Sequence, residues 1–148
     1  MKVLIQRVKY AEVKVDGKSV GKIDKGILAF LGIGKSDSEQ TVDKLVKKMT
    51  NLRIFEDDAN KMNKSILDVG GDILVVSQFT LYANCSNGNR PSFTDACEPN
   101  RANELYEYFK KKCGECINKV ESGLFGADMK VELLNDGPVT SMLDSDII

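Results

Sequence analysis

The first quarter of the chain alternates between apolar and charged residues, which is the period of a β-strand. Residues 2–8 and 11–16 are predicted as two strands, because valines there alternate with glutamate and lysine. The stretch VDGKSV at 15–20 contains an Asp-Gly turn signal and predicts a hairpin that returns through residues 20–23. The apolar run at 26–33 predicts a third strand, buried on both faces.

Two later segments have the helical period instead. The first, residues 36–49, begins with three helix N-cap candidates. The second begins at Pro99, and proline is well tolerated in the first turn of a helix. The second is predicted to continue to about residue 117 despite Gly114. The first segment's N-cap candidates are Ser36, Asp37 and Ser38, and its apolar stripe is Val42, Leu45, Val46 and Met49. The second follows Pro99, with the stripe Ala102, Leu105, Tyr106 and Phe109.

The remaining apolar runs predict further strands separated by polar loops. Residues 70–83 give the strongest strand signal in the chain, and residues 84–93 are too polar for a core. The other predicted strands are 52–57, 129–136 and 138–144, with a polar loop at 57–65. Several antiparallel strands interrupted by two helices predict an α+β fold, and residues 1–148 show no linker or repeat, so we expect one domain.

Composition places the chain among ordinary soluble proteins, with 42% hydrophobic and 29% charged residues. The longest apolar stretch, residues 26–34, is shorter than the roughly 20 residues of a membrane span. The N-terminal residues alternate and carry charges throughout, which predicts a strand and not a secretory signal. We therefore expect a cytoplasmic protein with no membrane partner.

Charge and the lack of histidine narrow the chemistry. A net charge of −1 argues against a protein that coats nucleic acid, although contact with a nucleic-acid end needs only a few phosphates. The chain has no histidine, which removes Ser-His-Asp and Cys-His catalysis. Any hydrolysis must then use carboxylates, backbone dipoles or groups that the substrate brings.

Four cysteines, at positions 85, 97, 113 and 116, raise the question of a metal or redox site. Cys113 and Cys116 form a CxxC pair, but a zinc site needs about four ligands and this chain offers no histidine. A redox CxxC would follow a strand, whereas this one lies late in a predicted helix. We expect free thiols on a helix face, no metal and no cofactor; the metal or redox use of the pair is the alternative.

The stretch AFLGIGKS at 29–36 has the strand–loop–helix context of a phosphate-binding loop. That pattern requires glycine where this chain has Ala29. Gly32 and Gly34 are instead predicted to form a tight exit from the strand.

Two segments carry a family resemblance: SQFTLYA at 77–83 and NDGPVT at 135–140. Together they resemble the signature pair of the D-aminoacyl-tRNA deacylases, also called D-tyrosyl-tRNA deacylases. LIQRV, NLRIF, KMN and RPSF lie between or before them in the family's order. The likeness covers essentially all 148 residues, so it is far more specific than either motif alone.

The resemblance implies a fold, a reaction and partners. It implies antiparallel and mixed sheets forming a barrel-like core with two main helices, in a homodimer whose active sites lie at the subunit interface. The implied reaction is hydrolysis of the ester that joins a D-amino acid to the 3′-terminal ribose of tRNA. The implied substrate is therefore the acceptor end of D-aminoacyl-tRNA, with mischarged glycyl-tRNA as a related one.

Gly137 and Pro138 match the family's Gly-cis-Pro dipeptide, which reaches into the partner subunit's active site. Most X-Pro bonds are trans, so the cis form is expected here only from the resemblance. A cis bond turns two successive carbonyls to the same side, where they could accept from the α-amino group of a D-residue. An L-residue would direct its side chain there and be rejected. On this interpretation NDGPVT is a selector and not a hairpin turn.

SQFT at 77–80 is the predicted catalytic segment. On a strand, Ser77 and Phe79 would share one face, and Gln78 and Thr80 the other. The resemblance places oxyanion-stabilising backbone donors around Gln78 and Phe79. No neighbouring base would activate the Thr80 hydroxyl, so we assign Thr80 to positioning or to water binding, with covalent catalysis as the alternative. The 2′-hydroxyl of the terminal adenosine would orient the attacking water.

The family resemblance suggests roles for four further residues. By resemblance Arg7 would hold the Gly-Pro element through backbone carbonyls; a solvent-facing strand arginine is the alternative. Phe125 would stack on the terminal adenine, and Met129 would line the same pocket, although ordinary packing explains both equally well. Arg90 could contact a phosphate. The rival functions are a deacylase for another mischarged aminoacyl-tRNA and a non-catalytic RNA-binding module.

Overall fold

A computed structural model describes residues 1–148, and its regular elements are eight strands, three α-helices and one 3₁₀ turn. The strands are β1 Lys2–Val15, β2 Lys18–Ile23, β3 Gly26–Gly32, β4 Phe55–Glu56, β5 Met62–Lys64, β6 Asp72–Ser77, β7 Val120–Ser122 and β8 Lys130–Asp144. The helices are α1 Glu39–Asn51, α2 Ile66–Val69 and α3 Pro99–Gly114, and the 3₁₀ turn is Phe79–Tyr82. No helix is both long enough and apolar enough to cross a membrane.

The long strand β1 organises the sheet. The two strands predicted at 2–8 and 11–16 are one strand in the structure. β2 and β3 continue a single antiparallel register along it, with Ala11 opposite Ile23 and Val8 opposite Gly26. β8 pairs with β1 over almost its whole length and has no other partner strand. β8 is therefore an edge strand.

The rest of the sheet curls into a nearly closed barrel. β3, β6 and β7 are parallel neighbours, so the strand order runs β2-β1-β3-β6-β7. The two ends of this order meet at Gly21, where a Cβ would lie 2.5 Å from the Ser122 carbonyl oxygen. Glycine is thus required for this close backbone approach. The predicted α+β class and barrel-like core are confirmed.

The sheet separates two apolar cores. The larger lies between the sheet and the two main helices, and it contains Leu45 of α1 and Phe109 of α3. The smaller lies on the opposite face of the sheet, around Val13 and Leu74. Ser38 begins α1 through a capping box with Thr41, as one of the three N-cap candidates predicted.

Several predicted boundaries are wrong. The strand predicted at 52–57 is only the two residues of β4, and the loop predicted at 57–65 contains β5, which pairs with it. The helix predicted to end near 117 ends at Gly114. The strand predicted at 70–83 stops at Ser77, and this difference shapes the candidate site.

Candidate active site

A cavity of about 590 Å³ opens where β6 ends, and twelve of its seventeen lining residues are hydrophobic. It lies between the two cores, since Ile33 of the larger core and Val76 of the smaller both form its wall. Its volume lies within the usual range for small-molecule sites. The lining residues are Leu31, Ile33, Val76, Ser77, Gln78, Phe79, Phe93, Ala96, Cys97, Pro99, Ala102, Phe125, Gly126, Ala127, Asp128, Met129 and Val131.

The chain turns sharply at Gln78, at the floor of this cavity. The Gln78 N–H donates to the Leu31 carbonyl at 2.8 Å, after which the 3₁₀ turn begins. Gly32 makes room for that turn, because a Cβ there would lie 3.0 Å from the Leu81 Cβ. The predicted strand alternation over 77–81 is therefore wrong. Phe79 and Thr80 both lie exposed on the turn and do not face opposite sides of a sheet.

This turn leaves backbone donors available at the cavity. The N–H groups of Phe79 and Thr80 open the 3₁₀ turn and have no acceptor within it. The Gln78 side-chain amide donates to the Thr80 hydroxyl oxygen. Ser77, Gln78 and Phe79 line the cavity, whereas Thr80 does not.

Phe79 and Phe93 form an aromatic pair at the cavity wall. Their ring centroids lie 5.0 Å apart with an interplanar angle of 71°, which is a favourable edge-to-face arrangement. Phe79 is 58% exposed, so it is not a core residue. Phe93 is held in place by backbone hydrogen bonds in both directions between Asn84 and Ser92.

Phe125 and Met129 line the cavity and also pack against the cores. The Phe125 ring lies 5.6 Å from the ring of Tyr106. Tyr106 is buried and donates its hydroxyl proton to the Val75 carbonyl, and burial raises its pKa to about 12. Phe125 and Met129 therefore pack against the cores and line the cavity at the same time, and the stacking of Phe125 on the terminal adenine stays a prediction.

The cavity contains two ionisable side chains, Cys97 and Asp128. Burial, and secondarily the Glu98 carboxylate, raise the pKa of the Cys97 thiol. A protonated thiol is a poor nucleophile. The Asp128 carboxylate is largely exposed and pairs with Lys130 at 3.0 Å. Neither side chain resembles an activated nucleophile paired with a base.

Gly137 and Pro138 lie away from this cavity, on the edge strand β8. Gln6 faces Thr140 and Val8 faces Asn135, so residues 136–139 stand opposite the single residue Arg7. We call residues 136–139 the β8 bulge. The bond between Gly137 and Pro138 is cis, and both residues are exposed. The two strands predicted around this hexapeptide are thus one strand with a bulge, and no hairpin turn is present.

Arg7 supports the β8 bulge from below. Its Nε donates to the Asp136 carbonyl at 3.1 Å, and its Nη1 donates to the Ile54 carbonyl at 2.7 Å. Arg7 is only 4% exposed, which excludes the solvent-facing alternative. It occupies the same face of β1 as Val3 and Ile5, and the guanidinium is satisfied there by carbonyls and by Asp136 and Glu56.

Some residues of the cavity were missed from the sequence. The sequence places Ala102 in the apolar stripe of α3 and predicts only a free thiol at Cys97. Both lie at the cavity because Glu98 caps the start of α3 there. Arg90 is exposed, does not line the cavity and forms no ion pair. Of the CxxC pair, Cys113 is buried and Cys116 is exposed beyond the helix end.

Comparisons with known proteins agree with the resemblance. The family model described as D-Tyr-tRNA(Tyr) deacylase matches residues 4–144. The D-aminoacyl-tRNA deacylase of Thermosipho melanesiensis is 56% identical over 146 residues, covering 98% of this chain and 97% of that protein. The corresponding protein of Aquifex aeolicus is 57% identical over 145 residues, with 98% of each chain covered.

A solved structure described as a c-Myc DNA unwinding element binding protein superposes with a TM-score of 0.91 at 39% identity. That superposition covers 97% of this chain and 98% of the other. The family suggested by SQFTLYA and NDGPVT is thereby confirmed. The chain belongs to the D-Tyr-tRNA(Tyr) deacylase family.

Proposed function

We propose that this protein hydrolyses the ester bond of D-aminoacyl-tRNA, releasing the D-amino acid and free tRNA. Relatives that are more than half identical to this chain over nearly its whole length are named D-aminoacyl-tRNA deacylase. The observation that carries the proposal is the placement of the family's two motifs. Residues 77–79 of SQFT line a cavity that is large enough for the aminoacyl-adenosine end of a tRNA. The Gly137-Pro138 dipeptide lies exposed on the edge strand β8.

The chemistry would rest on backbone groups and on the substrate. A water oxygen forms a bond to the ester carbonyl carbon, and the bond to the ribose 3′ oxygen then breaks. The neighbouring 2′-hydroxyl orients the water, takes up the proton that the water loses and passes its own proton to the leaving 3′ oxygen, so it ends as a hydroxyl again. The N–H groups of Phe79 and Thr80, which have no acceptor within the 3₁₀ turn, stabilise the negative oxygen, and one such donor is typically worth about 3 kcal/mol. The Gln78 N–H is already donated to the Leu31 carbonyl and takes no part.

Thr80 has a positioning role in this scheme. Its hydroxyl already accepts from the Gln78 amide and lies outside the cavity lining, which favours positioning of the Gln78 segment over attack on the ester. Phe125 and Met129 form the apolar wall against the terminal adenosine. Ser77 ends β6 at the floor of the same cavity.

The Gly137-Pro138 dipeptide that distinguishes D- from L-aminoacyl esters would come from a second copy of the chain. β8 presents a free edge along fifteen residues, with Leu134 and Met142 exposed on it. A long unpaired edge of this kind is normally covered. A two-fold homodimer across β8 would bring the β8 bulge of one subunit to the cavity of its partner. The carbonyls of Gly137 and Pro138 would then accept from the substrate's α-amino group.

Selection by backbone predicts which substrates are accepted. The carbonyl pair contacts the amino group and not the side chain, so many D-residues fit. An L-residue directs its side chain at the bulge and is rejected. Glycine has no side chain to reject, so glycyl-tRNA is accepted as well.

The test is a time course of ester loss from D-tyrosyl-, L-tyrosyl- and glycyl-tRNA. D-tyrosyl- and glycyl-tRNA should be hydrolysed, and L-tyrosyl-tRNA should survive. A D-tyrosyl-tRNA that ends in 2′-deoxyadenosine should also survive. Equal rates for both enantiomers would contradict the selector, and loss of a mischarged L-ester alone would indicate the rival deacylase. Tight binding of uncharged tRNA with no ester loss at all would indicate a binding module.

A further inference from the structure

We propose that Asn135 is a positioning residue that aims the carbonyls of Gly137 and Pro138 and so sets the discrimination between D- and L-aminoacyl esters. This inference rests on the proposed function, but its evidence is independent. It comes from the hydrogen bonds that replace the sheet ladder beneath the β8 bulge.

The bulge takes its backbone out of the ladder. The pairing of β8 with β1 breaks between Asn135 and Thr140, so residues 136–139 have no partner in β1. Polar backbone groups that leave a sheet need other partners, from side chains or from solvent. The direction in which the bulge points therefore depends on whichever side chains hold its two ends.

Asn135 holds the end of the bulge that follows the proline. Its Oδ1 accepts from the Val139 N–H at 2.9 Å. Its Nδ2 donates to the Thr140 hydroxyl oxygen at 2.9 Å and faces the Val139 carbonyl at 3.4 Å. The donor and acceptor ends of the amide have distinct partners, so this side chain has one satisfied orientation.

Two other side chains complete the frame. The Gln6 amide donates to the same Thr140 hydroxyl oxygen at 3.2 Å, which ties the frame to β1. Arg7 holds the other end of the bulge at the Asp136 carbonyl. Both ends are thus fixed by side chains. None of the side-chain donors reaches the carbonyls of Gly137 or Pro138, which remain available to a ligand.

An asparagine is better suited to this position than an isosteric aspartate. Aspartate would keep an acceptor for the Val139 N–H but would turn a second oxygen toward the Val139 carbonyl. The Thr140 hydroxyl can rotate and donate to that oxygen, but the Val139 carbonyl has no proton to donate, so the bulge would tilt to relieve the two facing oxygens. Because the carbonyls would still be present but misdirected, discrimination should fall further than folding stability.

The test compares Asn135→Asp, Asn135→Ala and Thr140→Val by the ratio of kcat/KM for D-tyrosyl-tRNA to that for L-tyrosyl-tRNA. Both Asn135 variants should lower this ratio at least about tenfold, because Asn135→Ala leaves the Val139 N–H without its acceptor and Asn135→Asp sets an oxygen against the Val139 carbonyl. Thr140→Val should lower the D/L ratio less than the Asn135 variants do. Thr140→Ser keeps the hydroxyl and should therefore keep the wild-type ratio. Asn118→Asp is the control, because it adds the same charge at an exposed residue with no side-chain hydrogen bond.

The outcomes separate the two proposals. Wild-type protein that hydrolyses neither ester would overturn the proposed function. Wild-type protein that discriminates, alongside Asn135 variants with an unchanged ratio, would overturn the role of Asn135 alone. Thermal unfolding identifies any variant that does not fold. If Asn135→Ala fails to fold, the isosteric Asn135→Asp and Thr140→Val decide the question by the same ratio.

Discussion

The cavity at the end of β6 and the β8 bulge differ in what holds them in place. The cavity walls are mostly apolar side chains continuous with the two cores. The bulge contributes no residue to either core and depends on side-chain hydrogen bonds from Arg7 and Asn135. Many packing contacts therefore hold the cavity walls in place, whereas only a few hydrogen bonds hold the β8 bulge. Single substitutions should therefore disturb the bulge more than the cavity.

Gly137→Ala should have the largest effect on activity. Gly137 has φ +125°, which a residue with a Cβ rarely adopts, and the added Cβ would lie 2.9 Å from the Arg7 guanidinium. We expect deacylation of D-tyrosyl-tRNA to fall about 100-fold, as for a misplaced catalytic geometry. Gly17→Ala is the control, because Gly17 also has positive φ but open space around it. Unchanged activity in Gly137→Ala would contradict a role for the bulge.

Ala96→Phe tests the cavity in the same way. Ala96 lines the cavity wall, so a phenyl ring there would occupy space that the substrate needs. We expect a loss of about 30-fold in kcat/KM, mainly through KM, because the ring competes with the bound substrate. Ala59→Phe adds the same ring on an exposed loop and should be silent. Equal activity in the two variants would show that the substrate binds elsewhere.

Arg7→Lys should affect both activity and stability. An ammonium cannot reproduce the forked donation to the Asp136 and Ile54 carbonyls. We expect about a tenfold loss of activity and a loss of about 1–3 kcal/mol in the free energy of unfolding, measured by urea denaturation. Arg53→Lys, at an arginine that donates to one carbonyl at the surface, should change neither quantity appreciably.

Thr80→Ala should be a mild change. If Thr80 only positions the Gln78 amide, single-turnover hydrolysis of D-tyrosyl-tRNA should fall less than about tenfold, well below the loss of a true acid–base group. Glu121→Gln, outside the cavity, provides a reference for ordinary variation. A dead Thr80→Ala enzyme, with an acyl-enzyme trapped on the wild type, would establish covalent catalysis instead.

Cys97→Ser should have the smallest effect, since a protonated thiol in the cavity wall performs no chemistry. Its raised pKa means that the thiolate forms only as pH rises past the ordinary thiol range. Iodoacetamide labelling of Cys97, followed by mass spectrometry with exposed Cys85 as internal reference, should therefore be slow at pH 7 and should keep accelerating above pH 9. Rapid labelling at pH 7 that abolishes activity would point to a reactive thiol.

The sequence predicts the elements of this protein better than it predicts their ends. Alternation, apolar runs and helical stripes locate the main strands and both main helices, because most of them bury one face and β3 and β6 bury both. They do not reveal that β6 ends at Ser77, since Phe79 and Leu81 continue the apolar pattern into a 3₁₀ turn that Gly32 permits. The residues of the site are indicated only by the family motifs, because no periodicity distinguishes SQFT or Gly137-Pro138 from ordinary strand residues. The hydrogen bonds of Asn135 depend on a bulge in β8, and no periodicity in the sequence signals its register.

A mixed dimer shows whether one subunit's β8 bulge completes its partner's cavity. Gly137→Ala and Ala96→Phe chains, co-expressed with different C-terminal tags, can be purified as a mixed dimer. In a two-fold dimer one of its two sites would combine an intact cavity with an intact bulge, which predicts about half of the wild-type rate on D-tyrosyl-tRNA. If the mixed dimer is no more active than either parent dimer, the two regions do not complete one another across subunits.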